Sequence, residues 1–336
     1  MKRVVVITAV FSLLLDFVAA QEADTSVVKS VENKYIQKMD DYLAIRVALH
    51  NDIKGFVVNS TNKVDLEPND KLAVKLTATY RGVSLSASVS PKFIPGNDDD
   101  LFRGKTTSLS LTLRLNSDHW VQELYYSKVK GYYVKNTADL ISNWVDGVDP
   151  YIQFPDLNYQ SFRGITGYKF NENYSVNALN TFTERQLKSV GTFMPILFYD
   201  YYIVDNRVEL TGQNSSQKSN NFESVLSLAY FHTFVIKRNF GVSFGVNPGV
   251  GFISTKILTR LPNERVTTHQ TNPVFRLEGT CRLAYDAIRF FTGAQAIVST
   301  LSYNQDNTST VVRNQRFMYQ VLVGYRFYRP GFKKRQ

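Results

Sequence analysis

A single cysteine, Cys281, is present in the 336 residues, so an internal disulfide framework is excluded and stability must come from packing and backbone pairing. No His, Asp and Glu side chains cluster at metal-ligand spacing, and no glycine-rich loop opens a helix as a phosphate site requires. No linker rich in proline, glycine or serine divides the chain. These absences predict one continuous architecture without a bound metal or other cofactor.

The first twenty residues resemble a secretory signal peptide. Lys2 and Arg3 precede a largely apolar stretch, and alanines end it at Ala19 and Ala20, where a signal peptidase cuts. An N-terminal membrane anchor is the alternative, but Asp16 interrupts a stretch that is short of the ~20 residues a spanning helix needs. We therefore predict export, with residues 1–20 as signal peptide and residues 21–40 as a polar periplasmic leader.

The formal net charge is +10, and such an excess can indicate nucleic acid as a partner. An exported protein seldom meets nucleic acid, and no dense run of Lys and Arg precedes the tail at Lys333, Lys334 and Arg335. We therefore predict no nucleic-acid partner and expect attraction to anionic lipid head groups. Residues 329–336 are predicted to form a basic tail.

Apolar and polar residues alternate with a two-residue period along most of the chain, which is the pattern of β-strands with one apolar face. The segment Leu72–Tyr80 follows it, and after Arg81-Gly82 the alternation resumes, as in a hairpin. Leu109–Leu115 has leucine at every second position, with Arg114 on the other face. The 23 phenylalanines and 20 tyrosines also favour strands and membrane interfaces.

Two later segments favour a barrel closed within a membrane. In Val242–Phe252 the second face is small and polar, as in a crowded lumen. Phe317–Phe327 is aromatic at both ends and aliphatic in the middle, as expected when the ends lie at two membrane interfaces. A spanning sheet must close because unpaired backbone groups are costly in lipid. A soluble exported β-sandwich, whose apolar face would cover a core, remains the alternative.

The predicted fold class is therefore all-β, an antiparallel transmembrane β-barrel over residues 41–328, located in the cell outer membrane. Thirteen segments alternate, although bacterial barrels normally have an even strand number. Tight turns assigned from the two ends of the chain disagree between about residues 116 and 190, so one segment there is miscounted. We predict about 12 strands, with 14 as the second choice. The segments are 42–50, 71–81, 82–90, 105–116, 119–134, 161–170, 174–184, 189–204, 222–238, 240–256, 272–285, 287–302 and 313–328.

Residues 135–160 do not follow the strand pattern. Leu140, Trp144 and Val148 fit one face of a short helix, and Pro150 and Pro155 follow. We predict a loop with a short helix, and a lid or plug over the barrel mouth is the alternative.

Several short motifs in the chain resemble a known family. They are Tyr125–Tyr133 (YYSKVKGYY), Phe154–Leu157 (FPDL), Tyr168–Asn171 (YKFN), Tyr174-Ser175 and Gln186–Gly191 (QLKSVG). Over about residues 35–330 the sequence resembles a family of outer-membrane β-barrels from Bacteroidota that is catalogued as a domain of unknown function. The resemblance implies an outer-membrane barrel and implies no established activity.

Charged residues on the predicted lumen face form the candidate site. Their side chains are long and of mixed sign, and a barrel of about 12 strands is too narrow to leave a wide channel beside them, so we expect a largely filled lumen. The densest polar group, Glu184 to Ser189, is interpreted as a lumen network or a ligand contact. The predicted network residues are Lys75, Arg114, Glu184, Arg185, Gln186, Lys188, Arg276, Glu278, Arg282 and Arg326.

A membrane enzyme, a hydrolase or acyltransferase acting on lipid, lipopolysaccharide or peptide, is the main alternative function. It needs a nucleophile with a base. None of the four histidines, His50, His119, His232 and His269, has a serine and a carboxylate spaced to meet it on one strand. We predict no catalytic residue and a structural, binding or small-solute role in the envelope. The expected partners are outer-membrane lipid, lipopolysaccharide and the outer-membrane assembly machinery, and the ligand is unknown.

Overall fold

The computed structural model describes residues 34–52, 55–59, 63–211, 214–237, 239–302, 311–312 and 315–328. The strands in these ranges are β1 (Ile36–Lys38), β2 (Tyr42–His50), β3 (Phe56–Asn59), β4 (Lys63–Glu67), β5 (Ala73–Tyr80), β6 (Val83–Val89), β7 (Thr107–Asn116), β8 (Trp120–Val134), β9 (Gln153–Tyr168), β10 (Glu184–Gln186), β11 (Val190–Asn206), β12 (Ser216–Lys237), β13 (Phe240–Arg260), β14 (Arg265–Asp286), β15 (Phe290–Ser302), β16 (Val311–Val312) and β17 (Gln315–Tyr328). The predicted signal peptide, most of the predicted leader and the basic tail lie outside the described residues.

Helix is confined to short connections within the described ranges. Two four-residue helices, α1 (Asp100–Arg103) and α2 (Asn177–Asn180), and a 3-10 turn at Thr137–Asp139 join strands. None of these helices is long and apolar enough to cross a membrane.

Twelve strands form one closed antiparallel barrel. Around the barrel the order is β8, β7, β6, β5, β2, β17, β15, β14, β13, β12, β11 and β9, and β9 pairs with β8 to close the sheet. The seam between the first and last barrel strands is the pair β2–β17, from Tyr42 opposite Tyr328 to His50 opposite Gln320. The predicted all-β barrel of 12 strands is confirmed. A sandwich of two stacked sheets is excluded because the sheet closes on itself.

The outer surface is apolar between two belts of aromatic side chains. Val246 and Val321 lie between the belts and are 55% and 56% exposed. Such a continuous exposed apolar band is unfavourable in water and matches the hydrocarbon region of a bilayer. One belt includes Trp120, Phe240, Tyr285, Phe290 and Tyr325, and the other includes Phe162, Tyr201, Phe222, Phe252 and Phe317.

The connections differ between the two ends of the barrel. At the end that carries Tyr42 and Tyr328 most connections are short, and we call it the turn end. Arg81 and Gly82 there have φ of 46° and 79°, which suits a two-residue hairpin loop, and a Cβ on Gly82 would lie 2.5 Å from the Asn116 carbonyl oxygen. The opposite end carries longer connections, and we call it the loop end.

The structure identifies the miscounted segment as 174–184. Instead of a barrel strand it forms α2 and the approach to β10, between β9 and β11. The alternation of Tyr174, Val176 and Ala178 with polar residues therefore reflects burial of this segment against other groups, since a two-residue period does not specify which neighbour a strand pairs with.

The prediction for residues 135–160 is wrong in two respects. β9 begins at Gln153 rather than at residue 161. Pro155 lies where the β8–β9 register shifts, between the pairs Lys130–Asn158 and Tyr132–Phe154, so its missing N–H interrupts no regular ladder. The expected helix is reduced to the 3-10 turn at Thr137–Asp139, and residues 140–149 form turns.

Candidate functional site

Residues 169–189, between β9 and β11, fold into the turn end of the lumen, and we call this segment the plug. Asn177 bonds to Asn116 on β7, Phe182 stacks on Phe291 of β15, and Arg185 donates to Asn239 before β13. These contacts lie on widely separated parts of the barrel wall, so the plug occupies the interior. β10 within the plug also pairs with β1.

Arginines on the two seam strands hold the plug by its backbone. Arg326 on β17 is fully buried and donates to the carbonyl oxygen of Phe182 at 2.7 Å and to Asp286 Oδ1 at 2.7 Å. Arg46 on β2 donates through Nη1 to the carbonyl oxygen of Asn180 at 2.7 Å. The turn end is thus closed by hydrogen bonds that charged arginine side chains donate to the plug backbone.

The loop end is closed mainly by apolar side chains. β3 and β4 form a hairpin that joins the wall where Leu66 pairs with Val134 of β8. Phe56 of the hairpin packs on Tyr132 and Tyr159, with ring centroids 5.1 and 5.3 Å away. The buried cluster here, the loop-end cluster, contains Phe56, Leu66, Val129, Tyr132, Val134, Leu157, Tyr159, Phe198, Tyr202, Val204, Val225, Ile253 and Val274.

A chamber of about 290 Å³ lies in the lumen, bordered by plug residues below and by members of the loop-end cluster above. Its volume is near the lower limit of the ~300–1,000 Å³ typical of small-molecule sites. Seven cationic side chains line it against three carboxylates, and two more carboxylates, Asp200 and Glu223, pair with lining arginines. The cations are Arg46, Lys75, Arg114, Arg163, Arg276, Arg282 and Arg316, and the lining carboxylates are Asp52, Glu123 and Glu278.

Most of these arginines have a carboxylate partner. Arg114 Nε lies 2.5 Å from Glu123 Oε2, and Arg163 donates through Nε and Nη2 to Asp200 Oδ2 at 3.1 and 3.0 Å. Arg276 lies between Glu223 and Glu278, with N–O distances of 3.6 and 3.7 Å, and its guanidinium lies over the ring of Phe198. Arg316 pairs with Asp52.

Arg46 and Arg282 differ from the others, because no carboxylate of the described residues lies within 4.0 Å of either guanidinium. Arg46 is 5% exposed, and its Nε is buried without a hydrogen-bond partner. Arg282 has as its polar neighbour the Gln295 amide, whose oxygen can face Nε at 3.2 Å and Nη2 at 3.3 Å. Arg114 and Arg282 both repel the charge of Arg46, and Glu123 is the one carboxylate that offsets it. This group has more buried positive charge than its own acids neutralise.

The other side of the chamber is apolar, and we call it the apolar wall. Met194, Ile196 and Ala229 on β11 and β12 pack with Val121, Ile165, Val176 and Phe231. In the strand order β11 is six strands from β2, which is half the circumference of the barrel. Ile196 therefore faces Arg46 across the lumen, and both line the chamber.

Five of the ten predicted network residues, Lys75, Arg114, Arg276, Glu278 and Arg282, come together as lining of the chamber. Glu184, Arg185 and Gln186 lie instead on β10 of the plug, and Arg326 lies below the chamber. Lys188 is exposed, with Nζ 5.1 Å from the centre of the Tyr35 ring.

Glu184 and Gln186 bind within the plug rather than to the chamber lining. Glu184 Oε2 accepts from Ser175 Oγ at 2.5 Å, and Gln186 Oε1 accepts from Ser175 N at 2.8 Å.

Sequence reasoning missed Arg46, Glu123, Arg163, Arg316 and Asp52. Arg46 alternates with Ile45 and Val47 on β2, so the two-residue period itself placed it on the lumen face. Asp52 follows the end of β2, where no period remains to assign a face.

A serine and a histidine meet beside the chamber. His50 Nε2 lies 2.8 Å from Ser88 Oγ, while His50 Nδ1 accepts from the backbone N–H of Asp52 at 3.3 Å. Because Nδ1 is an acceptor, the proton is assigned to Nε2, which then donates to Ser88. This polarity is opposite to that of a base that removes the proton of a nucleophilic serine. The carboxylate of Asp52 pairs with Arg316.

No group of three or more His, Cys, Asp or Glu side chains that could hold a metal ion is present in the part of the chain that the structure describes.

A family model described as "Domain of unknown function (DUF4421)" matches residues 22–327. The comparison with curated proteins finds no match.

Among solved structures, the chain is similar to two outer-membrane proteins and to a transporter. The outer membrane protease OmpT of Escherichia coli has 8% identity and a TM-score of 0.40, over 87% of this chain and 98% of that one. The outer membrane protein OmpT of Vibrio cholerae has 10% identity and a TM-score of 0.31, over 85% of this chain and 97% of that one. The toluene transporter TodX of Pseudomonas putida has 7% identity and a TM-score of 0.28, over 85% of this chain and 89% of that one. Similarities at this level carry no inference about activity.

Proposed function

The chain belongs to the family described as "Domain of unknown function (DUF4421)", and from its geometry we propose that it is a non-enzymatic outer-membrane β-barrel that binds a small anionic solute in its lumen chamber. The observation that carries the proposal is the excess of cations in the chamber, where no carboxylate of the described residues lies within 4.0 Å of the guanidinium of Arg46 or Arg282. A buried charge without a counter-ion is unfavourable, so an anion bound here is stabilised by charges that the fold leaves uncompensated.

Placement in the outer membrane is part of the same proposal. The exposed apolar band and its two aromatic belts support it, because this surface suits lipid and a closed sheet leaves no unpaired backbone edge. The band would contact outer-membrane lipid and lipopolysaccharide, and a barrel of this kind would be inserted by the outer-membrane assembly machinery. The turn end would face the periplasm, since short turns lie there in bacterial barrels.

The test uses the purified barrel in lipid nanodiscs. Titration with small anions, followed by calorimetry, is expected to show saturable binding, and Arg46→Gln and Arg282→Gln should each weaken it roughly tenfold or more. Arg260→Gln is the matched control, because Arg260 pairs with Asp205 outside the chamber. In planar bilayers the wild type should show no steady porin-sized conductance. Such a conductance, or a folded barrel that binds no anion, would contradict the proposal.

The contact between His50 and Ser88 favours a hydrolase as the second candidate. An active serine hydrolase should be labelled at Ser88 by a fluorophosphonate, and Ser88→Ala should abolish the label. We expect no labelling, because the imidazole donates to this hydroxyl. Labelling that Ser88→Ala and His50→Gln both remove would establish the enzyme and end the non-enzymatic proposal.

A further inference from the structure

The chamber has two chemically different sides, and this asymmetry defines its ligand more narrowly than charge does. Arg46, Arg282 and Arg114 form one side, where the charge of Glu123 acts on both Arg46 and Arg282 and that of Glu278 acts on Arg282 as well. Met194, Ile196 and Phe231 of the apolar wall form the other. The inference that follows rests on the proposed function, since it specifies the solute for the same site.

A compact anion such as phosphate would satisfy only the cationic side. It would leave Met194, Ile196 and Phe231 facing water, although these side chains otherwise pack in an apolar cluster. An uncharged apolar molecule would cover the wall but would bury Arg46 and Arg282 without a counter-ion, which is strongly unfavourable. A ligand with both parts satisfies both sides at once, and small-molecule sites commonly combine apolar walls with a few polar contacts.

Phe198 also lines the chamber, but its ring is covered by arginine side chains and does not offer apolar surface to a ligand. The guanidinium of Arg276 lies 4.1 Å from the centre of its ring, and that of Arg163 lies 5.4 Å away. These arginines are also engaged by Asp200, Glu223 and Glu278. The acidic group of a ligand is therefore directed away from this part of the chamber and toward Arg46 and Arg282.

We propose that the chamber binds an amphipathic anion, a molecule with one acidic head and a short alkyl or aryl body. The head lies between Arg46 and Arg282, and the body lies on Met194, Ile196 and Phe231. In this orientation the head supplies the carboxylate that neither arginine has within 4.0 Å among the described residues. The body extends from Arg46 on β2 across the lumen toward Met194 and Ile196 on β11.

The experiment compares ligands that differ in one property, using the full barrel in nanodiscs and empty nanodiscs as the reference for partition into lipid. Acetate, butanoate, hexanoate and octanoate keep the head and lengthen the body, while octylammonium reverses the charge and inorganic phosphate has no body. Affinity should rise about threefold to fourfold for each added methylene that the wall covers. Octylammonium should not bind in the chamber.

Variants then show which side chains bind the acidic head of the ligand and which contact its alkyl body. Arg46→Gln or Arg282→Gln should weaken octanoate roughly tenfold or more while keeping the dependence on chain length. Ile196→Thr should flatten that dependence and leave acetate unchanged. Ile253→Thr is the matched control, because Ile253 is buried in the loop-end cluster and not in the chamber lining. The shift in gel mobility between unheated and heated samples reports that each variant is folded.

Each other outcome overturns a different claim. If phosphate and acetate bind as tightly as octanoate, the chamber takes compact anions, so the amphipathic ligand is wrong and the proposed function stands. If octanoate binds but none of the variants changes its affinity, it adsorbs outside the chamber and this inference fails. If the folded barrel binds no anion at all, the proposed function fails as well.

Discussion

The two ends of the barrel are closed by different physical means. At the turn end a single inserted segment is held by buried arginines that donate to its backbone carbonyls, as Arg326 does to Phe182 and Arg46 to Asn180. At the loop end thirteen apolar side chains from many strands and from the β3–β4 hairpin pack together. Hydrogen bonds are directional, so closure of the turn end depends on a few residues. The hydrophobic effect scales with buried area and has no direction, so closure of the loop end depends on many residues together.

Replacing Arg326 should have the largest effect. Arg326→Met removes the donor to Phe182 and leaves Asp286 buried without its closest cation, and breaking a buried ion pair on one side costs about 3–5 kcal/mol. We expect a lower free energy of unfolding in urea and faster amide hydrogen exchange through the plug, residues 169–189. Exchange at the loop end should be unchanged.

Arg265→Gln serves as the control for this variant, because Arg265 is exposed on β14 and touches neither closure. If amide exchange in the plug stays slow in the Arg326→Met variant while exchange rises in other parts of the barrel, Arg326 does not hold the plug.

A cavity at the loop end should have a smaller and more dispersed effect. Leu157→Ala removes a side chain that is 5% exposed in the loop-end cluster and should cost about 2–5 kcal/mol. Because the remaining members of the cluster still pack, amide exchange should rise modestly over several strand ends. The plug should keep wild-type exchange, and bilayers should remain without conductance. A conducting Leu157→Ala barrel would mean that the loop end also depends on single residues.

The smallest expected effect concerns Asp70, in the connection between β4 and β5. It is 6% exposed, and neither oxygen accepts a well-aligned hydrogen bond, although Ser90 and Ser108 lie beside it. Burial raises the pKa of this carboxyl above its ordinary value of 3.8. The folded state therefore binds the proton more tightly than the unfolded state, and stability falls as pH rises from 3.8 through the raised pKa.

Asp70→Asn removes this penalty. The variant should be at least as stable as the wild type in urea at pH 7, and the advantage should vanish below pH 3.8. An Asp70→Asn barrel that is less stable at pH 7 would indicate that the ionised carboxylate is bound and stabilising.

The two-residue period predicted the barrel wall well and the lumen contents poorly. Leu109 and Leu111 face outward as expected, because each strand needs a lipid face whatever its neighbours are. The period cannot distinguish a wall strand from a buried insert, which is why 174–184 was counted as a strand. The pattern also fails to predict that Pro155 lies within a strand. The register of β8 and β9 shifts next to Gly131, so the hydrogen-bond ladder is already interrupted opposite this proline. Gly131 has a φ of 91°, and a Cβ there would lie 2.1 Å from the Lys105 carbonyl oxygen.

The candidate site was predictable only in part for a similar reason. Alternation assigns Arg114, Arg276 and Arg282 to the lumen, but the depth of each side chain and the identity of its partner depend on register between distant strands. Arg282 and Arg46 lie 236 positions apart in the chain and meet because β2 and β14 are three strands apart around the barrel. No local pattern encodes which arginine lacks a carboxylate.

The seam between β2 and β17 also constrains the order in which the molecule assembles. The plug lies in the middle of the sequence, yet the arginines that bind its carbonyls, Arg46 and Arg326, come from the first and last barrel strands. The bond of Arg326 to the plug can therefore form only after the last strand has been synthesised. Closure of the seam and the bond of Arg326 to the plug depend on the same strand, so a chain truncated before β17 would lose both together.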